Sequence, residues 1–370
     1  MMQPNCLPLR SWPGFLCIGL FLVTLASCDD PFSIAMHNPI YPSSSENVTY
    51  TLEMLSGRAP TEVKLYERID NITLFEVPFP FGDPIIIPTI FPGAETLLQT
   101  WPNPSIGTLT HVKSSPNPAN SLVTYRFEIR QSNGTLIKHE IQYATRDYPL
   151  TLQPAPVYVV GDADNTFDVV FIPDTDISNM GTFRNQCRNM IRESFFDENT
   201  TKLFRHSFNF YINPRTGHAT DYDQRLVDGY HQVPSNNAYL TFAEGRVLMH
   251  QTDLRDYASG GLFSTELQNR GTILHESGHS LFGLMDEYEG GAHSQSTDLP
   301  NNWSSLSAAQ TDAPARGKTA GDAVQIGSDP WWKLCVDNCL MKTSGLTHTA
   351  YDRPCVDRVL RRIVDTSAGH

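Results

Sequence analysis

The sequence predicts an all-β module followed by an α/β (α+β) domain built around one metal-binding helix. Three observations predict this order. Short alternating stretches with proline-rich breaks fill residues 29 to about 150. Beyond the proline-punctuated stretch Gln153-Pro154-Ala155-Pro156, apolar strands alternate with helical stretches. Within that second part, His275-Glu276-Ser277-Gly278-His279 is a complete HExxH whose neighbours read as helix.

Residues 1–27 read as a targeting segment rather than structure. Arg10 is their only charge, and the 13-residue apolar run Phe15 to Ser27 is too short for a stable membrane span. The run ends Leu25-Ala26-Ser27-Cys28, which resembles a bacterial lipobox with Cys28 as the lipidated residue. Cys28 is therefore expected to anchor an exported chain to the cell envelope through its lipid. A plain signal peptide, and hence secretion, is the alternative.

Residues 28–153 form the β module. Asn47 to Glu53, Val63 to Glu67 and Leu122 to Ile129 alternate apolar and polar, and Ser132-Asn133-Gly134 signals a hairpin into Thr135-Leu136-Ile137-Lys138. Short strands of this kind predict an immunoglobulin-like sandwich, acting as a spacer or as a binding module for glycans or protein. Residues 154–370 form the second domain. Val157 to Val160, Phe167 to Asp174, Phe208 to Ile212 and Arg246 to His250 read as strands, and Thr182 to Phe196 as a helix.

The metal-binding helix is expected to open with a capping box, Thr265-Glu266-Leu267-Gln268, and to carry an apolar stripe of Leu267, Leu274, Leu281 and Met285. Histidines four apart lie about 40° apart around a helix and one turn apart along it, so both imidazoles can meet one ion. Glu276, beside His275, can then serve as general base toward water at the metal. Gly283 offers a stop, because glycine adopts the left-handed conformation cheaply. A turn there folds Asp286 back toward the two histidines as third ligand, with Glu287 as its competitor. The pattern resembles the metzincin HExxHxxGxxH/D with one residue inserted before the glycine.

The stretch His275 to Tyr288, HESGHSLFGLMDEY, is similar to the signature of the M64 metallopeptidases, and the resemblance extends over about residues 155–360. It takes in the strand Phe167 to Asp174, the segment Phe208-Asn209-Phe210-Tyr211 and Cys339-Leu340-Met341. It implies a zinc-dependent endopeptidase with a metzincin-like αβα domain and one Zn2+ per chain, held by His275, His279 and Asp286. The chain departs from the family before the helix, where only Ser259-Gly260-Gly261 replaces a fuller glycine-rich segment.

A formal charge of −13 excludes nucleic acid as a partner, since phosphates require a basic surface. At 370 residues each domain can bury its own core. Cys187, Cys335, Cys339 and Cys355 permit two disulfides, with the pairing left open. The five Asn-x-Ser/Thr sites, at Asn47, Asn71, Asn133, Asn199 and Asn302, are close to what composition gives by chance. Met341 is a candidate floor beneath the metal; His348 and Tyr351 are candidates to polarise a carbonyl, and Tyr288 to close one side of the cleft. His250 and His293 lack ligand spacing, and Trp331-Trp332 reads as core. The expected function is peptide-bond hydrolysis in proteins or glycoproteins. The rivals are a zinc amidase acting on a non-protein amide and an inactive surface adhesin.

Overall fold

The computed structural model describes residues 33–37, 42–56, 59–77, 85–145, 154–160, 166–235, 240–334, 339–342 and 350–367. The targeting segment with Cys28, the boundary residues 146–153, Cys335 and His348 lie outside them. The chain is mixed α/β, with more sheet than helix, and no helix among the described residues is long and apolar enough to cross a membrane.

Among the described residues up to 145 every regular element is a strand: β1 (Ser33–His37), β2 (Thr49–Ser56), β3 (Glu62–Val77), β4 (Ile85–Phe91), β5 (Glu95–Pro102), β6 (Thr108–Val112), β7 (Ser121–Arg130) and β8 (Leu136–Ala144). All pair antiparallel, β1-β2-β6 in one sheet and β4-β3-β7-β8 in another, with β5 also on β3. The β7–β8 hairpin turns where the sequence places it, at Ser132-Asn133-Gly134, with Gly134 at φ 89° and Gln131 N–H donating to Thr135 O at 2.8 Å. Alternation supplies the buried faces: Tyr50 and Leu52 from one sheet, Val63, Leu65, Tyr125 and Phe127 from the other. The rings of Tyr50 and Tyr125 meet at 4.7 Å between the sheets.

The second part is a six-stranded sheet. Its strands are β9 (Ala155–Tyr158), β10 (Phe167–Pro173), β11 (Phe208–Ile212), β12 (Gly245–His250), β13 (Ala258–Ser259) and β14 (Leu262–Glu266). The order is β13-β14-β12-β10-β11-β9; the four inner strands run parallel, and both edge strands are antiparallel. Phe167–Pro173 is buried at every residue, as expected of a strand covered on both faces. Helix α1 (Met180–Met190) is capped by Asn179, whose side chain accepts from Thr182 N, and continues as a π-helical turn to Phe195. Helix α2 (Arg270–Ser280) carries the HExxH; α3 (Leu306–Asp312) and α4 (Arg353–Ser367) follow, with β15 (Val324–Gln325) and β16 (Trp332–Lys333) between them.

One apolar core cluster runs from Val48 through both parts to Ile363. The sheets are also tied by reciprocal backbone bonds between Gln142 and Val159, both 2.9 Å, and by the Arg188–Glu46 ion pair at 3.0 Å. At the centre Phe167, Phe195, Phe208 and Phe210 stack from the sheet and the π turn, and Phe282 joins them edge-on at 5.6 Å from Phe167. That aromatic plug fixes the turn after α2 to the sheet.

Three expectations are corrected. Thr265 does not cap α2: it lies in β14, and Asn269 caps instead, its side chain accepting from Thr272 N at 3.1 Å. The apolar stripe does not define α2 either, because Thr272 to Gly278 is buried on all sides. No disulfide forms among the described cysteines. Cys339 and Cys355 are unbonded thiols with Sγ atoms 3.6 Å apart, and Cys187 packs on Met249 Sδ.

Truncating the fully buried Phe208 removes the ring that links Phe167, Phe195 and Phe210. Phe208→Ala should lower unfolding free energy by about 3–5 kcal/mol in denaturant titration. A loss below about 1 kcal/mol would show that the plug is not a unit.

Candidate metal centre

Strand β14 hands the chain to α2 through only three residues, Leu267 to Asn269. Leu267 N–H donates to His250 O at 2.9 Å, which fixes the helix start at the end of the parallel sheet. His275 and His279 then face one way, their rings 4.9 Å apart and their Nε2 atoms 3.2 Å apart. Each Nδ1 is anchored, His275 on Leu340 O and His279 on Leu284 O, both at 2.7 Å. A carbonyl accepts only, so each Nδ1 carries the proton and each Nε2 presents a lone pair inward.

Gly283 turns the chain back. Its φ is +65°, its N–H donates to His279 O at 3.2 Å, and Leu284 N–H donates to Gly278 O at 2.9 Å. Helix α4 completes the end of α2, Arg358 Nε donating to Phe282 O at 2.9 Å and Arg362 Nε to Leu281 O at 3.3 Å. The returning strand delivers Asp286. Its Oδ2 accepts from Ala292 N–H at 2.6 Å, and its carbonyl accepts from Asn302 Nδ2 at 2.6 Å. Oδ1 is left with no hydrogen bond and lies 3.2 Å from both imidazole Nε2 atoms.

Three acceptor atoms thus form a triangle with 3.2 Å edges. Corners that far apart on a regular tetrahedron lie about 2.0 Å from its centre, which matches Zn–N and Zn–O bonds of ~2.0–2.2 Å. Burial pushes the Asp286 carboxyl up, but with a proton rather than a metal ion among the three atoms, positive charge from His275 and His279 outweighs burial and holds the carboxyl well below the usual carboxylate range. The donor set therefore fits a zinc ion, which His275, His279 and Asp286 would hold.

Glu276 is 5 % exposed, and its Oε2 has no hydrogen-bond partner. Burial outweighs the opposing pull of His275 and, with smaller upward contributions from Asp256 and Asp286, pushes it up to about 8. Glu287, the competing ligand, faces elsewhere. Its Oε1 accepts from Asn301 Nδ2 at 3.0 Å and from Cys355 Sγ at 3.2 Å, and burial and the Asp352 carboxylate push it up to about 8. The structure brings together His275, His279 and Asp286, and leaves Glu287 out.

Met341 lies under the site. A Cβ on Gly278 would fall 2.7 Å from Met341 Sδ, so glycine at that helical position, unfavourable by about 1 kcal/mol against alanine, lets Met341 lie against the helix where any larger residue would make its side chain shift. Leu340 and Met341 also offer their carbonyls to His275 Nδ1 and Glu287 N. Tyr288 leans toward His275, ring centres 6.3 Å apart. Tyr351 cannot reach a substrate: it is buried, and its hydroxyl donates to Leu274 O at 2.6 Å. Trp331 and Trp332 are half-buried rather than core, Trp332 pairing with Trp303 through two 2.8 Å backbone bonds.

Sequence reasoning missed the residues that hold the Asp286 strand. Asn301 clamps Met285 through both its side-chain atoms, at 3.0 and 2.8 Å. His293 sets Nδ1 on Asp286 O at 3.0 Å and Nε2 on Asp329 at 2.9 Å. Nothing in a single sequence signals these partners, which lie 7 to 36 residues from their targets. Asn302, a glycosylation-type asparagine, is fully buried and committed to Asp286. His250 is occupied by Thr252 O and Asp256, both at 2.8 Å, outside the metal group.

No protein-family model matches the chain, and no curated protein matches it. Among solved structures it is similar to the sporulation control protein Spo0M of Bacillus subtilis, at 9 % identity and TM-score 0.20 over 31 % of this chain and 49 % of that one. A superoxide reductase from Ignicoccus hospitalis follows at 9 % identity and TM-score 0.16, over 30 % of this chain and 79 % of that one. Beta-glucuronidase 2 of Bacteroides uniformis follows at 10 % identity and TM-score 0.17, over 60 % of this chain and 28 % of that one. The chain thus spans about half of the Spo0M chain, and likenesses this slight carry no argument about fold or function.

Asp286→Ala should lose the zinc equivalent held by His275 and His279, measured by equilibrium dialysis and elemental analysis against wild type, while Glu287→Ala keeps that equivalent. Gly278→Ala should weaken zinc by about 10-fold or more by displacing Met341 and the Leu340 carbonyl. An Asp286→Ala chain that binds as many zinc equivalents as wild type would remove Asp286 from the ligand set.

Proposed function

We propose that the chain is an exported zinc-dependent endopeptidase, hydrolysing peptide bonds in proteins or glycoproteins. The observation that carries this reading is the triangle of His275, His279 and Asp286 acceptors with the buried Glu276 carboxyl, its Oε2 without a partner, one residue along the same helix. The likeness of HESGHSLFGLMDEY to the M64 signature supports it, as does the parallel sheet that feeds α2. In this reading residues 154–370 form a metzincin-like catalytic domain with Met341 as its floor, and residues 28–153 an immunoglobulin-like sandwich that spaces it from the membrane.

Zinc held by the triad would supply Lewis acidity, drawing the pKa of water toward neutrality and polarising the scissile carbonyl. Glu276 takes a proton from water as its oxygen bonds to the carbonyl carbon and then gives that proton to the amide nitrogen, so that the C–N bond breaks with the amine as leaving group and protons balance. The buried backbone carbonyls of Leu340 and Leu284 keep both imidazoles in the tautomer that binds metal. An extended substrate can lie along β13, the terminal strand of the sheet, beside which α2 packs.

Glu276→Gln preserves shape and removes the base. It should keep about one zinc at the triad and lose peptidase activity on a denatured-protein panel by about 10²–10⁴-fold. Loss of metal with activity would make Glu276 a ligand or a structural residue. Activity on non-protein amides alone would favour the amidase reading, and no hydrolysis by the zinc-loaded wild type would favour the adhesin.

The same reading places the enzyme on the cell envelope through Cys28. Cys28→Ser should release the protein from the membrane fraction with specific activity unchanged. Failure of labelled fatty acid to appear on the wild type would contradict the anchor.

A further inference from the structure

Behind the triad lies a second cluster of ligand-type side chains: Glu287, Cys339, Asp352 and Cys355, all buried, each with one ligand atom within 4.8 Å of the others. Cys339 and Cys355 place their sulfurs 3.6 Å apart, and Cys355 Sγ lies 3.2 Å from Glu287 Oε1. Two further carboxylate oxygens, Glu287 Oε2 and Asp352 Oδ2, are buried with no hydrogen-bond partner. The nearby cation Lys333 gives its ammonium to the Glu287 backbone carbonyl at 2.7 Å, not to a carboxylate oxygen. Two thiols and two carboxylates thus share a dry space, with polar atoms left over.

The geometry points to a second metal site, in which Cys339, Cys355, Asp352 and Glu287 bind a thiophilic divalent cation of the zinc class. Around tetrahedral zinc, with Zn–S about 2.3 Å and Zn–O about 2.0–2.2 Å, sulfurs stand about 3.8 Å apart and sulfur and oxygen about 3.5 Å. The observed 3.6 and 3.2 Å follow that pattern. A disulfide would need the sulfurs to close to about 2.0 Å and would leave Glu287 Oε2 and Asp352 Oδ2 buried without a partner. Four protein ligands close the shell, which is the arrangement of a structural rather than a catalytic ion.

Its place in the fold gives it a task. Glu287 follows Asp286 directly, Cys339 precedes the Leu340 carbonyl that holds His275 and the Met341 floor, and Asp352 and Cys355 open α4. One ion would clip the ligand strand, the turn beneath the metal and α4 into one unit. This inference does not depend on the peptidase reading.

Metal counting tests it. Wild-type chain purified without chelator and equilibrated with zinc should hold about two equivalents. His275→Ala/His279→Ala should keep one. Loaded with Co2+, that double variant should show thiolate-to-cobalt charge-transfer absorption, which Cys339→Ser added to it abolishes. Cys339→Ser/Cys355→Ser alone should lose one equivalent and keep the histidine site; should it fail to fold, the histidine variant still decides. A Cys339–Cys355 disulfide in the unreduced peptide map would overturn the site, as would a histidine double variant that folds but binds neither zinc nor cobalt.

Discussion

Two imidazole nitrogens and one carboxylate oxygen meet at 3.2 Å in a buried pocket, and all three present lone pairs. Acceptors at that distance repel unless a cation or shared protons lie among them, and in low dielectric the repulsion is large. The surrounding structure holds them there regardless. Each imidazole is locked from behind by a backbone carbonyl, and Asp286 by a backbone amide on its other oxygen. The parallel sheet, the aromatic plug at Phe282, the α4 arginines and the asparagine clamps make sense as the means of holding that convergence.

The supports are distributed, and that explains their shape. The helix comes from β14 and Asn269, the turn from Gly283 and Phe282, the floor from Leu340 and Met341, the third ligand from a strand tied by Asn301, Asn302 and His293. No one segment could preorganise the site, because each ligand needs a partner from elsewhere in the chain. Gly278 shows how closely the parts meet: helix propensity alone would choose almost any other residue there, but a Cβ would make the methionine below shift.

Much of this was legible in the sequence wherever local chemistry decides it. Alternation located β2, β3, β7 and β8, and an apolar run located β10, because side-chain period and burial are written residue by residue. Gly283 and Asp286 were legible because positive φ and ligand spacing are local constraints. The start of α2 was misread because Thr265-x-x-Gln268 satisfies a capping pattern while pairing with β12 turns those residues into strand, a tertiary override of local preference. The cysteines were misread in kind: pairing arithmetic suggests disulfides, but Cys339 and Cys355 sit among buried carboxylates that only the fold brings together. Tyr351, which follows Met341 in sequence, is buried, and its hydroxyl donates to Leu274 O.

The most direct measurement is anomalous X-ray scattering at the zinc absorption edge from crystals of the zinc-saturated chain. The account predicts a peak about 2.0–2.2 Å from His275 Nε2, His279 Nε2 and Asp286 Oδ1, with Glu276 outside the coordination shell. Zinc-saturated crystals with no peak there, or with Glu287 in place of Asp286, would contradict it.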